Sequence, residues 1–352
     1  MRLFFAAVAL APLLACDLAD AFTLAGDHVD VVIDPGLEPC GDLVGHMDRF
    51  VELVAARWDV DLAPVHYTYH WQTYANYLTS GCRLERAACA MPLDVYSYKA
   101  PLDHELVHLV SFSVGRPPAF FIEGAAMVFE LRDELPMLDI VPGPEDVRVA
   151  MTARAPLSFE RYNLGGAYTR FLIDRHGMPA YLDFYASLRG SADIDEIAAT
   201  HADIFGEPLD DTIAAFDAGG RDCSLAAYNF KLVECGGPPL AWDGDVLTTH
   251  HDLSCAGDEA IGWFGLNDRS RVYANFVVEA PGLFELSLAA SSVDVELASC
   301  GGCDAPPAIS FRAGDGPRRV ELAAGAYYLL MSGPLILDQA ATVRLGRVSE
   351  PW

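Results

Sequence analysis

His104-Glu105-Leu106-Val107-His108 narrows the fold of this chain more than any other feature. On an α-helix, positions i and i+4 lie on one face, one turn apart, so both imidazoles can reach one point. Glu105 then sits beside that point. Two neutral imidazoles converging next to a carboxylate begin a zinc site with an open coordination position. The chain must therefore build a helix here and a neighbouring element that brings a further ligand. Leu102, Leu106, Val107, Leu109 and Val110 give the helix a broad apolar surface, as in a core helix that carries a site. Gly115-Arg116-Pro117-Pro118 ends it, and the prolines suit the start of another helix. That second helix carries Phe121-Ile122-Glu123-Gly124-Ala125-Ala126. The competing reading is a buried helix with two hydrogen-bonded core histidines.

The downstream ligand sorts the possible zinc sites. A metzincin requires Gly at position 111 and His at position 114, where this chain has Ser111 and Val114. Glu123 follows on the next predicted helix, giving the His-His-Glu set of the gluzincins. Glu130 lies seven residues further along, on nearly the same helix face. It is a candidate to hydrogen-bond a ligating histidine, with an ordinary solvated helix glutamate as the alternative. Asp103 is a further candidate to support a ligating histidine, though a helix N-terminus, where the dipole favours negative charge, suits it better. His28, His46, His66, His70, His176 and His201 lack ligand spacing and read as surface or core histidines.

The segment from Leu93 to Phe216 resembles the peptidase MA-like gluzincins, relatives of the aminopeptidase N and leukotriene A4 hydrolase group. The residues that carry the resemblance are His104 to His108, Pro118-Ala-Phe-Phe-Ile-Glu123-Gly-Ala-Ala126, and Tyr162-Asn163-Leu164-Gly165-Gly166-Ala167 leading into Phe171 to Gly177. The resemblance implies a zinc-dependent peptidase with one Zn²⁺ held by His104, His108 and Glu123. Glu105 would be the general base towards zinc-bound water, and the Tyr162 phenol would stabilise the tetrahedral intermediate. Tyr168 is a poorer substitute, and both tyrosines could simply pack in the core. The exopeptidase relatives carry a Gly-Ala-Met-Glu-Asn strand before the motif. Here the segment reads Cys89-Ala-Met-Pro-Leu-Asp-Val-Tyr-Ser-Tyr98, so aminopeptidase specificity is not implied. Val95 to Tyr98 could still be an edge strand for an extended peptide.

The amino terminus points to export. Arg2 precedes an apolar run from Leu3 to Leu14, too short for a membrane span and suited to a secretory signal over residues 1–15. Leu13-Leu14-Ala15-Cys16 resembles the lipobox of bacterial lipoproteins, which implies lipidation of Cys16 and anchoring in the cell envelope. Plain secretion, with cleavage near Ala21, is the second choice. Setting Cys16 aside leaves eight cysteines, an even set that reads as disulfides in an exported chain. Cys82–Cys89 and Cys300–Cys303 are plausible local bridges. A net charge of −27 excludes a nucleic-acid binder. The expected partners are a peptide or protein substrate and, through the lipid anchor, a membrane.

The pattern predicts an α+β fold for residues 16–235: a small sheet followed by a mostly helical second half. Strands are expected at 28–33, 65–69 and 93–98. Helices are expected at 43–58 and 71–78, and then from 101 to about 218. Gly236-Gly-Pro-Pro239 marks a boundary. Over 240–352, short alternating strands near 272–279, 283–289, 293–297, 326–331 and 341–345 predict an all-β sandwich. Val320 to Ala323 and Gly325 to Leu330 resemble bacterial pre-peptidase carboxy-terminal domains. His250-His251 reads as a polar loop pair or a metal-binding one. The rival to the peptidase reading is a non-catalytic surface-binding lipoprotein with a structural or relic zinc site.

Overall fold

The computed structural model describes residues 21–82, 88–130, 146–220, 234–257, 261–263, 269–301, 308–334 and 339–348. The signal segment and Cys16 lie outside them, as do Cys223 and Cys303. The architecture is α+β, as expected.

The first part is built on a five-stranded sheet of β1 (Phe22–Leu24), β2 (Val29–Ile33), β3 (Tyr67–Trp71), β4 (Ala88–Ala90) and β5 (Asp94–Ser97). Their order is β1-β2-β3-β5-β4, with β2, β3 and β5 parallel and the two flanking strands antiparallel. Val31, Tyr69 and Val95 are register partners across the three parallel strands, and all are fully buried. Helix α1 (Leu43–Trp58) packs on β2 and buries Leu43, His46, Met47, Phe50, Val51, Val54 and Trp58 along one stripe. Asp42 caps it by accepting from the Gly45 amide. Asp48 accepts from the amides of Asp27, His28 and Val29, which fixes the start of β2 against the helix.

Two expectations need correction here. The 93–98 segment is not an edge: β5 is paired on both sides, and the three-residue β4 forms the border of the described sheet. The helix expected over 71–78 shrinks to α2 (Tyr74–Tyr77), because Trp71 completes β3 and Thr73 caps the turn.

Helices then follow in succession: α3 (Asp103–Val114), α4 (Ala119–Phe129), α5 (Val147–Met151), α6 (Phe159–His176), α7 (Met178–Ser187), α8 (Ile194–Phe205) and α9 (Leu209–Gly219). α3 packs on α1, α4 and the sheet, and α4 crosses α6 closely. The crossing depends on two glycines. A Cβ on Gly124 would lie 2.5 Å from the Gly165 carbonyl oxygen, and one on Gly165 would lie 2.7 Å from that of Phe120. Trp58 ties the layers together, with edge contacts to Phe129, Tyr181 and Tyr185.

After a 3-10 turn at Glu234–Gly236 the chain becomes all β. One sheet has the order β11 (Ile309–Arg312), β10 (Asp294–Ser299), β13 (Gly325–Pro334), β8 (Arg269–Val278), β7 (Ile261–Trp263). The other has the order β12 (Arg318–Leu322), β9 (Gly282–Ala289), β14 (Ala340–Arg347), β6 (Val246–Asp252). Phe276, Leu297 and Met331 of the first sheet share one apolar cluster with Leu286, Val343 and Leu345 of the second, the face-to-face packing of a sandwich. Strand β13 is buried on both sides. Tyr327, Leu329 and Met331 enter the sandwich core, while Tyr328 and Leu330 enter the core of the helical part. A strand buried on both faces reads as a continuous apolar run, as Ala326 to Met331 does.

Disulfides reinforce this contact. Cys82–Cys89 forms locally as expected. Cys300 pairs with Cys235 rather than with Cys303: the 3-10 turn that carries Cys235 packs on β13, the sheet neighbour of β10, and Cys300 follows the end of β10. Cys40–Cys255 joins the approach to α1 to the end of β6, and the Gly41 amide donates to the Cys255 carbonyl. Three disulfides among the described residues fit an oxidising, exported setting. No helix among the described residues is long and apolar enough to cross a membrane.

Candidate metal centre

α3 presents His104 and His108 on one face, and α4 presents Glu123 opposite them. Both histidine Nε2 atoms lie 3.2 Å from Glu123 Oε2. One ligand atom from each residue falls within 4.8 Å of the others, so the three fit a single metal ion. Burial alone favours a neutral Glu123, but His108 and His104 hold its carboxyl well below the usual carboxylate range.

The outer contacts favour the same use of the histidines. Glu130 Oε2 accepts from His104 Nδ1 at 2.7 Å, which leaves Nε2 of that ring for a metal. Glu130 is buried, so it is not a solvated helix glutamate. It follows the last residue of α4 with extended backbone, and that turn brings its carboxylate back towards α3. Burial resists charge on His104, yet the adjacent Glu130 carboxylate and the hydrogen bond to Glu123 push the imidazole up to about 10. His108 stacks on Phe112 at 5.6 Å, and the Arg116 guanidinium lies over that phenyl ring.

Glu105 is half-buried on the first turn of α3, one residue after the first candidate ligand. Tyr162 lies on the first turn of α6, its ring centroid 6.0 Å from that of His104. The Gly124–Gly165 crossing is what brings it there, since Gly165 is one turn beyond Tyr162 and Gly124 follows Glu123. Tyr168 is fully buried, packed against Phe120 and Phe216, and fills the core.

Two features near the site carried no sequence signal. His46 Nε2 donates to Asp103 Oδ1 at 2.8 Å, across 57 residues. The Tyr69 phenol donates to the Lys99 carbonyl at 2.6 Å, which anchors the loop leading into α3. His250 and His251 lie in strand β6 rather than in a loop. They bond Thr342 Oγ1 at 2.9 Å and Thr249 Oγ1 at 2.6 Å, and neither joins a three-ligand cluster among the described residues.

No protein-family model matches this chain, and no curated protein matches it either. A solved family GH115 4-O-methyl-alpha-glucuronidase, with specificity for decorated arabinogalactans, aligns with 70% of this chain at 10% identity. The alignment spans 39% of that structure's chain with a TM-score of 0.16, and a likeness at this level carries no argument.

Proposed function

We propose that this chain is an exported, zinc-dependent peptidase on a gluzincin-like scaffold, anchored through Cys16 and followed by a sandwich domain over 240–352. The observation that carries the reading is the meeting of His104, His108 and Glu123 with Glu105 on the same helical turn and Tyr162 across the site. The donor set, two imidazole nitrogens and one carboxylate, suits zinc and leaves a position open. When bound there, zinc supplies Lewis acidity and lowers the pKa of a coordinated water towards about 7.

The chain's own residues supply the rest. Glu105 accepts the proton of the attacking water and delivers it to the leaving amine. The Tyr162 hydroxyl donates to the carbonyl oxygen as negative charge develops on it. Glu130 fixes the ring of His104 and its Nδ1 proton. The β4 border offers backbone groups on which an extended peptide can align.

Glu105→Gln tests the reading. It keeps shape and removes the base. Peptide-library cleavage by the zinc-loaded protein should fall by at least about a hundredfold, while metal content stays near one zinc per chain. Equal cleavage by variant and wild type would remove Glu105 from the mechanism. Wild-type protein that holds zinc but cleaves nothing would favour the non-catalytic alternative.

A further inference from the structure

We infer that His46 is a positioning residue for the metal-binding helix, and that through it the sandwich braces the metal centre. The inference rests on the zinc reading of His104, His108 and Glu123, and it gives the sandwich a role.

Helix α3 begins without a side-chain cap: Leu102 occupies the cap position and can offer none. Within the first turn the Glu105 amide donates to the Leu102 carbonyl at 3.1 Å, but no side chain caps the turn, and helix ends without such a cap tend to fray. That turn carries His104 and Glu105, so its position sets both a ligand and the base. The anchor comes from outside the helix. Asp103 accepts from His46 Nε2 at 2.8 Å, and the side chains are 10% and 2% exposed. A hydrogen bond to a charged acceptor in so buried a place is strong and directional. Asp103 is thereby drawn towards α1, which fixes the rotation of the turn about the α3 axis.

Besides Asp103, His46 is packed within its own helix. Its ring stacks on Phe50 one turn along α1, at 6.0 Å and 26°. It also lines a partly open pocket of about 320 Å³ to which Val272 to Asn275 of β8 and His251 of β6 contribute as well. The start of α1 is joined to the sandwich by Cys40–Cys255. A continuous path thus runs from the sandwich through the disulfide, α1, His46 and Asp103 to His104. On sequence separation alone His46 would be one more core histidine. Its bond to the residue preceding a metal ligand gives it this function.

The test is zinc affinity, measured by chelator competition, together with the visible spectrum of the cobalt-substituted protein. His46→Leu should weaken zinc binding measurably, by less than the roughly tenfold or more expected when a ligand loses its own hydrogen-bond partner, and should change the cobalt spectrum. His46→Gln places an amide donor where Nε2 lies and should restore both. Mere filling of the core predicts the reverse, with Leu tolerated and Gln no better. Wild-type zinc affinity and cobalt spectrum in His46→Leu would overturn the inference. If that variant does not fold, Asp103→Ala, which removes the acceptor of the His46 bond, replaces it, and an unchanged affinity and spectrum there would overturn the inference equally. Wild-type protein that binds no zinc would instead sink the metal reading, and wild-type protein that binds zinc but cleaves nothing would sink only the peptidase reading.

Discussion

His104 uses both ring nitrogens, and that double use makes metal binding compete with protons. Glu130 takes Nδ1 and Glu123 faces Nε2. In metal-free protein these carboxylates stabilise the imidazolium, so zinc must displace a proton from Nε2. Apparent zinc affinity should therefore rise about tenfold per pH unit across the neutral range, levelling as pH approaches about 10. The sign for stability is opposite. A raised imidazole contributes to metal-free stability fully below its ordinary value of 6.5, and that contribution is lost as pH rises through about 10. Glu130→Gln removes one of the charges, so the affinity curve should level at lower pH. Chelator competition from pH 6 to 9.5 measures both slopes, and a flat wild-type profile would count against this account. Glu130 was half legible in the sequence: spacing put it on the face of Glu123, but the extended turn that points it at His104 is a tertiary outcome. His46 was not legible at all, because nothing local ties it to Asp103.

The crossing of α4 and α6 determines whether Glu123 and Tyr162 face the same site. Glycine in a helix interior ordinarily costs about 1 kcal/mol relative to alanine, so Gly→Ala there should stabilise. At Gly165 the sign should reverse. Its Cβ would meet the Phe120 carbonyl oxygen at 2.7 Å and the Gly124 Cα at 3.3 Å, both backbone atoms that cannot turn aside. Gly165→Ala should destabilise by about 1–3 kcal/mol or more, and it should reduce cleavage by pushing Tyr162 away from His104. Thermal melting and peptide assay together check this, and a raised melting temperature would show that the helices have room to spare. The elements of the site were legible where their periodicity was strong. α1 matches its expected span, and α3 and α4 fall around the motif as the apolar pattern and the prolines require. Strands β1, β4 and β6 were not. β1 and β4 are three residues each, and β6 buries Leu247 and Thr249 on its inner face, which dilutes the alternation.

At the scale of the whole molecule, the sandwich is continuous with the helical part. Tyr328 and Leu330 of β13 complete the first core while their alternate neighbours complete the second. The apolar pattern of this strand was legible, but a strand buried by its own sandwich and one buried by a neighbouring part have the same sequence signature. Cysteine spacing was a poorer guide, since proximity in sequence favoured Cys300–Cys303 while the fold joins Cys300 to Cys235. Cys40–Cys255 spans 215 residues, so it constrains a very large loop of the unfolded chain. Its loss should cost about 2–5 kcal/mol. If the bond only restrains the unfolded chain, Cys40→Ser with Cys255→Ser should lower the melting temperature and leave the zinc affinity of the remaining folded protein unchanged. If the sandwich braces α1, and α1 holds α3 through His46, the same double variant should also bind zinc more weakly at temperatures well below its melting transition. Measuring both quantities on one preparation separates the two effects. Weaker zinc binding that His46→Leu does not deepen further would mean that the disulfide and His46 act on the metal centre along one path.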